Sequence, residues 1–281
     1  MVRSAVGGVA RVSREVPRLA SGIAAEAAWL AAHLVMYPLG LRTQPTAPVG
    51  RSDLDGLTVE QRGLVHHDVD AAATPILLVH GIVDNHSIFT VMDRALRRRG
   101  FRTVSSYDYG LLTRDIPTAA VALGEAIEKV AANAGYERIH VIGHSLGGLI
   151  ARYYVQRLGG DAHVHTLVTL GTPHRGTAFA RAAPMLPLVR QLTPRSAVIR
   201  ELAEPAPGCR TRFIAFHSDI DHLVVPHRNA RLEHPDLNVR NVAVRGVGHM
   251  SMPNNARIAF QITEALRELH PDGSAATPGA D

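Results

Sequence analysis

A chain of 281 residues with 46% apolar content is long enough to close one large core, and its net charge of +5 is too modest to mark a nucleic-acid carrier. Its single cysteine, Cys209, excludes an intrachain disulfide. The cluster Arg94, Arg97, Arg98, Arg99 and Arg102 has no aromatic or motif support for nucleic-acid binding and reads as a solvated helix face, with attraction to an anionic lipid surface as the alternative.

Residues 1–56 read as an N-terminal apolar or amphipathic helical extension with a linker. The stretch without formal charge runs 15 residues, Ala27 to Leu41, short of the roughly 20 that a spanning helix needs. Arg11, Arg14, Glu15 and Arg18 fall where the apolar core of a secretory signal would begin, so a cleavable signal fits poorly. The expectation is an amphipathic helix that docks on the main domain, on a second copy or on a membrane surface, in a cytoplasmic or membrane-associated setting. Pro45, Pro48, Gly50 and Gly56 mark the linker; the main domain is expected over 57–270, and 271–281, rich in Pro, Gly, Ala and Asp, as a disordered tail.

Strands are predicted at 61–66 and 75–80, a helix at 87–99, a strand at 102–106 and a helix at 116–134. Glu137 to Ile142 reads as a strand, and Leu149, Ile150, Tyr153, Tyr154 and Leu158 recur at helical spacing. Further strands follow at 164–170, 211–217 and 238–244, then a helix at 252–269. Strands alternating with helices imply a mostly parallel sheet covered on both faces.

Between the strand and the helix lies Gly143-His144-Ser145-Leu146-Gly147-Gly148. A serine on so sharp a turn projects its hydroxyl out of the sheet, and small residues two before and two after it avoid a clash. Gly143 and Gly147 fill those positions, and Ser145 is the candidate nucleophile. The helix that starts there turns its first amides toward any oxyanion beside the serine.

In such a fold an acid and a histidine must follow the serine, each on a loop at the carboxyl end of a later strand. His249, in Gly246-Val247-Gly248-His249 between a strand and the final helix, is the candidate base; His222, His227, His234 and His270 lack that setting. Asp219 and Asp221 compete for the acid. Asp221 is favoured because it precedes His222-Leu223-Val224-Val225-Pro226, an apolar segment that would tuck the loop against the sheet. The oxyanion requires two amides: that of Leu146, after the nucleophile, and that of Ile82, after the strand exit His80-Gly81.

Taken together, His80-Gly81-Ile82, Gly143 to Gly148, Leu170-Gly171-Thr172-Pro173-His174-Arg175-Gly176-Thr177, Asp221 with Val224-Val225-Pro226, and Gly248-His249 give the chain a resemblance to the α/β-hydrolases. Within that fold it is similar to bacterial triacylglycerol lipases and related lipid esterases, over about residues 74 to 268. The resemblance implies an α/β fold with hydrolysis of lipid carboxylic esters through an acyl-enzyme. A short-chain carboxylesterase, a thioesterase and a serine acyltransferase share the same residues and stay open.

Residues 176–210 read as an inserted cap or lid. Phe179, Met185, Leu186, Leu188, Val189 and Leu192 give it an apolar side, and Arg181, Arg190, Arg195 and Arg200 a basic one. Thr193-Pro194 is the expected helix start, with Val198, Ile199 and Leu202 as its stripe. A mobile lid and a fixed cap are both compatible with this pattern, and lipid-surface contact through the lid and the N-terminal helix is one of the readings left open. No cofactor is expected, and no metal: His66-His67-Asp68 and His163-x-His165 read as strand-edge or turn residues.

Overall fold

Strand β1 (Ile76–Val79) is the run Ile-Leu-Leu-Val, with every side chain buried. A strand of continuous apolar residues is stable only when both of its faces are covered, and that fixes its place inside a parallel sheet. The computed structural model describes residues 74–82, 86–109, 113, 115–182 and 185–267. The predicted strand at 61–66, the N-terminal extension and linker, the tail and the His66-His67-Asp68 run lie outside the described residues.

Five further strands join β1 in one sheet, in order β2-β1-β3-β4-β5-β6, every neighbouring pair parallel: β2 (Val104–Tyr107), β3 (Ile139–His144), β4 (Val164–Leu170), β5 (Arg212–Ser218) and β6 (Asn238–Val244). Among the described residues the α-helices are α1 (Thr90–Arg98), α2 (Ile116–Ala134), α3 (Leu146–Arg157), α4 (Pro187–Gln191), α5 (Ala197–Glu201) and α6 (Ala256–Arg267). Neighbours β1 and β3 are not consecutive in the chain, so the connections leave them in opposite directions and open a crevice above their carboxyl ends, the usual ligand site of such sheets.

Side chains alternate across the sheet. Leu77, Val79, Val141, Leu167, Phe213 and Ala215 join a core with α2, α3 and the buried side of the 176–210 segment. Ile76, Leu78, Ile142, Val168, Ile214 and Phe216 point the other way, into a second core with α1 and α6. Each fully buried Leu or Ile stabilises the fold by roughly 1.5–3 kcal/mol before the loss of chain entropy is counted. Among the described residues no helix is long and apolar enough to cross a membrane.

Helix α2 has the bounds the sequence predicts because its start is chemically marked: the Asp115 side chain accepts from Thr118 N at 2.7 Å, and Pro117 lies in the first turn. Three helix starts differ from expectation. Helix α1 begins at Thr90 and not at 87, since His86 to Phe89 form a 3-10 turn. Helix α6 begins at Ala256 and not at 252, since Met252 to Asn254 form a 3-10 turn and the Asn255 side chain accepts from Arg257 N and Ile258 N. Thr193-Pro194 does not start a helix either. The Thr193 hydroxyl bonds back to the Arg190 carbonyl at 2.7 Å, Arg195 takes φ 68°, and Ser196 caps α5 by accepting from Ile199 N. The stripe it was expected to carry is present: Val198 and Leu202 are buried and Ile199 packs beside them.

Candidate active site

Strand β3 runs through Gly143 to His144, and α3 starts at Leu146. Ser145 alone makes the turn, at φ 52° and ψ −119°, a conformation that costs a non-glycine residue of order 1–3 kcal/mol. The surroundings hold it there. Ser145 N donates to the Leu170 carbonyl at the end of β4, 2.9 Å away. A Cβ on Gly147 would collide with the Val79 and His80 carbonyls, and one on Gly143 would stand 2.5 Å from Gly148 Cα. Helix α3 thus presses against the exit of β1. The Ser145 side chain makes no capping bond to the helix it precedes.

The two competing acids separate clearly. Asp219 is exposed and its Oδ1 accepts from Gly246 N at 2.9 Å, which ties the loop after β5 to the loop after β6. Asp221 is buried; its Oδ1 accepts from Leu223 N and Val224 N, both at 2.9 Å, and its Oδ2 faces His249 Nδ1 at 2.8 Å. Burial raises the Asp221 carboxyl, but the His249 imidazole and the two amides outweigh it and leave the group below its ordinary value.

The segment Leu170 to Thr177 acquires a physical reason. Gly171 sits at φ 57°, and a Cβ there would lie 3.0 Å from His249 Nδ1 and 3.1 Å from Asp221 Oδ2. Strand β4 therefore ends against the Asp221–His249 pair, one residue beyond the carbonyl that anchors Ser145. Thr177 closes the other end: its hydroxyl donates to the Leu223 carbonyl at 2.7 Å and accepts from Val225 N at 3.0 Å. His174 is buried, its Nε2 2.9 Å from the Thr169 hydroxyl. Burial, reinforced by Arg152, holds that imidazole well below its usual value.

The serine turn, Asp221 and His249 are thus brought to one end of the sheet, with Ile82 next to the β1 exit and partly buried against the core. Leu146 is buried in the first turn of α3. His222 and His227 are exposed. Two residues were not visible as partners in the sequence. His144 is buried with its ring 4.9 Å from that of His249, and its Nε2 lies 3.2 Å from the His249 carbonyl. Arg152, on α3, is buried and donates to the carbonyls of His174 (3.0 Å) and Leu202 (2.8 Å), and burial pulls its guanidinium down to about 9. Among the described residues no three His, Cys, Asp or Glu side chains converge as a metal site.

A parallel sheet in this order, a strained serine between β3 and α3, and a buried Asp–His pair beyond later strands define an α/β hydrolase fold. The family model described as the alpha/beta hydrolase fold matches residues 74–195. The chain is similar to two proteins named triacylglycerol lipase, from Pseudarthrobacter phenanthrenivorans and Burkholderia plantarii, each 31% identical over 117 residues, or 39% of this chain. Those alignments cover 36% and 32% of the two relatives, so the chain spans about a third of the length of the curated relatives it matches. The mature form of Bacillus licheniformis lipase BlEst2 shares the fold with a TM-score of 0.60 at 15% identity, covering 80% of this chain and 99% of that one.

Proposed function

We propose that this protein is a serine hydrolase of lipid carboxylic esters. The observation that carries the reading is the water-shielded hydrogen bond between Asp221 and His249, set against the strand end that anchors Ser145. Ser145 Oγ attacks the ester carbonyl while His249 takes its proton and passes it to the departing alcohol; water then repeats the sequence on the acyl-enzyme and releases the acid. Asp221 fixes the ring with its proton on Nδ1, leaving Nε2 as the base, and stabilises the imidazolium. The amides of Ile82 and Leu146 hold the oxyanion.

Lipid as substrate is supported by the names of the two relatives and by the outer edge of the 176–210 segment. Phe179, Met185 and Leu186 are all at least half exposed there, and Ala178 N donates to the carbonyl of Val225, itself exposed on the loop that carries Asp221. Such an edge suits an acyl chain or a lipid surface.

The test is hydrolysis of p-nitrophenyl esters from acetate to palmitate, with Ser145→Ala as control, alone and with emulsified triglyceride. Serine-dependent cleavage of long chains with a rate jump on the emulsion is expected. Activity confined to short soluble esters makes the protein an esterase, acyl transfer to added glycerol makes it a transferase, and no turnover at all overturns the reading.

A further inference from the structure

Beyond the serine, histidine and acid lies a second cluster, at the carboxyl ends of β1 and β2. His80, at the exit of β1, is buried. Its Nδ1 lies 2.8 Å from the Gly81 carbonyl, which can only accept, so Nδ1 carries the proton of that bond. On the ring's other edge Nε2 stands 3.4 Å from Asp108 Oδ1, just past the end of β2, a contact that holds the ring as an ion pair when both ring nitrogens carry a proton. Tyr109 stacks on the ring, centroids 4.4 Å apart and planes within 15°, and its hydroxyl donates to the His80 carbonyl at 3.1 Å. Asp108 also reaches across to His86, accepting from its amide at 2.9 Å and pairing with its Nδ1 at 2.6 Å.

The peptide unit between Gly81 and Ile82 has two ends. Its carbonyl is held by His80 Nδ1. Its amide hydrogen is that of Ile82, and in a trans peptide it points opposite to the carbonyl. A clamp on the carbonyl therefore sets the direction of the Ile82 N–H. We infer that Asp108 is a positioning residue for the Ile82 amide, acting through His80. It fixes the imidazole from behind, the imidazole fixes the Gly81 carbonyl, and the opposite end of the same peptide is aimed at the oxyanion. The hold on His86 gives the carboxylate a second anchor. This inference rests on the reading of Ile82 as an oxyanion donor.

The Asp108 side chain is 46% exposed, so its ion pairs add little to folding stability, and a purely structural role would leave no distinct kinetic trace. An aiming role affects the tetrahedral state alone. The experiment compares the wild type with Asp108→Leu and Asp108→Asn on a soluble p-nitrophenyl ester, reading kcat, KM and Tm, and adds the Ki of an alkyl trifluoromethyl ketone, whose serine adduct carries the oxyanion. Expected for Asp108→Leu is a kcat lower by about 10-fold to 100-fold, a KM within about twofold and a Ki weaker by the same factor as kcat. The conservative Asp108→Asn, which keeps an acceptor for the histidines, recovers part of both. The inference is overturned if Asp108→Leu keeps wild-type kcat and Ki, or if KM rises in place of the fall in kcat. A wild type with no Ser145-dependent hydrolysis overturns the ester-hydrolase reading itself, a result distinct from an active wild type indifferent to Asp108.

Discussion

Gly171 and His249 stand so close that a single methyl group on the glycine would reach within 3.0 Å of the imidazole Nδ1. The position is occupied by glycine for two reasons, its φ of 57° and the absence of room. Gly171→Ala is expected to push the ring and the Asp221 carboxylate apart, lowering kcat by about 10-fold to 100-fold with KM nearly unchanged. Gly135→Ala is the control: it has φ 72° and nothing within 4 Å of the added carbon, so it carries comparable backbone strain without the collision. Steady-state kinetics on one ester compares them, and equal kcat values for the two variants would contradict the crowding account.

Asp221→Asn leaves a side chain of the same shape but supplies an amide in place of the charge that faces Nδ1. Turnover is expected to fall by about 10²-fold to 10⁴-fold with Tm shifted only slightly. Asp219→Asn keeps an acceptor for Gly246 N and should change kcat by less than about twofold. The reverse ranking would reassign the acid.

His140, buried in β3 at the opposite end of the sheet, has its imidazole held well below the usual value by burial, with His165, Arg138 and Arg212 adding to it. The unfolded chain therefore takes up a proton near pH 6.5 that the folded chain refuses, and stability falls as pH drops below that point. The slope from this group alone reaches about 1.4 kcal/mol per pH unit. His140→Phe keeps an aromatic ring beside His165 and removes the titration. Urea unfolding at pH 7 and pH 5 should show a smaller acid loss in the variant, and an unchanged loss would transfer the effect to other groups, His174 first.

Much of this was readable before folding. The buried strands announce themselves as apolar runs because a parallel sheet covers both faces, and Asp115 and Pro117 mark α2 locally. The serine turn and the glycine before His249 are local signals of the same kind. The choice between Asp219 and Asp221 was legible only as a preference, because it depends on which carboxylate is buried. His144, Asp108 and Arg152 were silent: His144 meets His249 across 105 residues, Asp108 meets His80 across 28, and Arg152 meets Leu202 across 50. Asp108 offered one faint cue, its place at the carboxyl end of a strand. Thr193 misled because a threonine hydroxyl can satisfy the helix behind it as readily as the one ahead.

The fastening of the 176–210 segment has a practical corollary. Its start is stitched down by Asn229, which donates to the Gly176 carbonyl at 2.8 Å, and by the Thr177 hydroxyl; near its far side Leu202 is fastened to Arg152 of the serine helix. Exchanging the exposed apolar side chains at Phe179, Met185 and Leu186 should retune acyl-chain preference while the chemistry beneath keeps its alignment, which makes this short edge the place to begin engineering the protein toward a chosen ester.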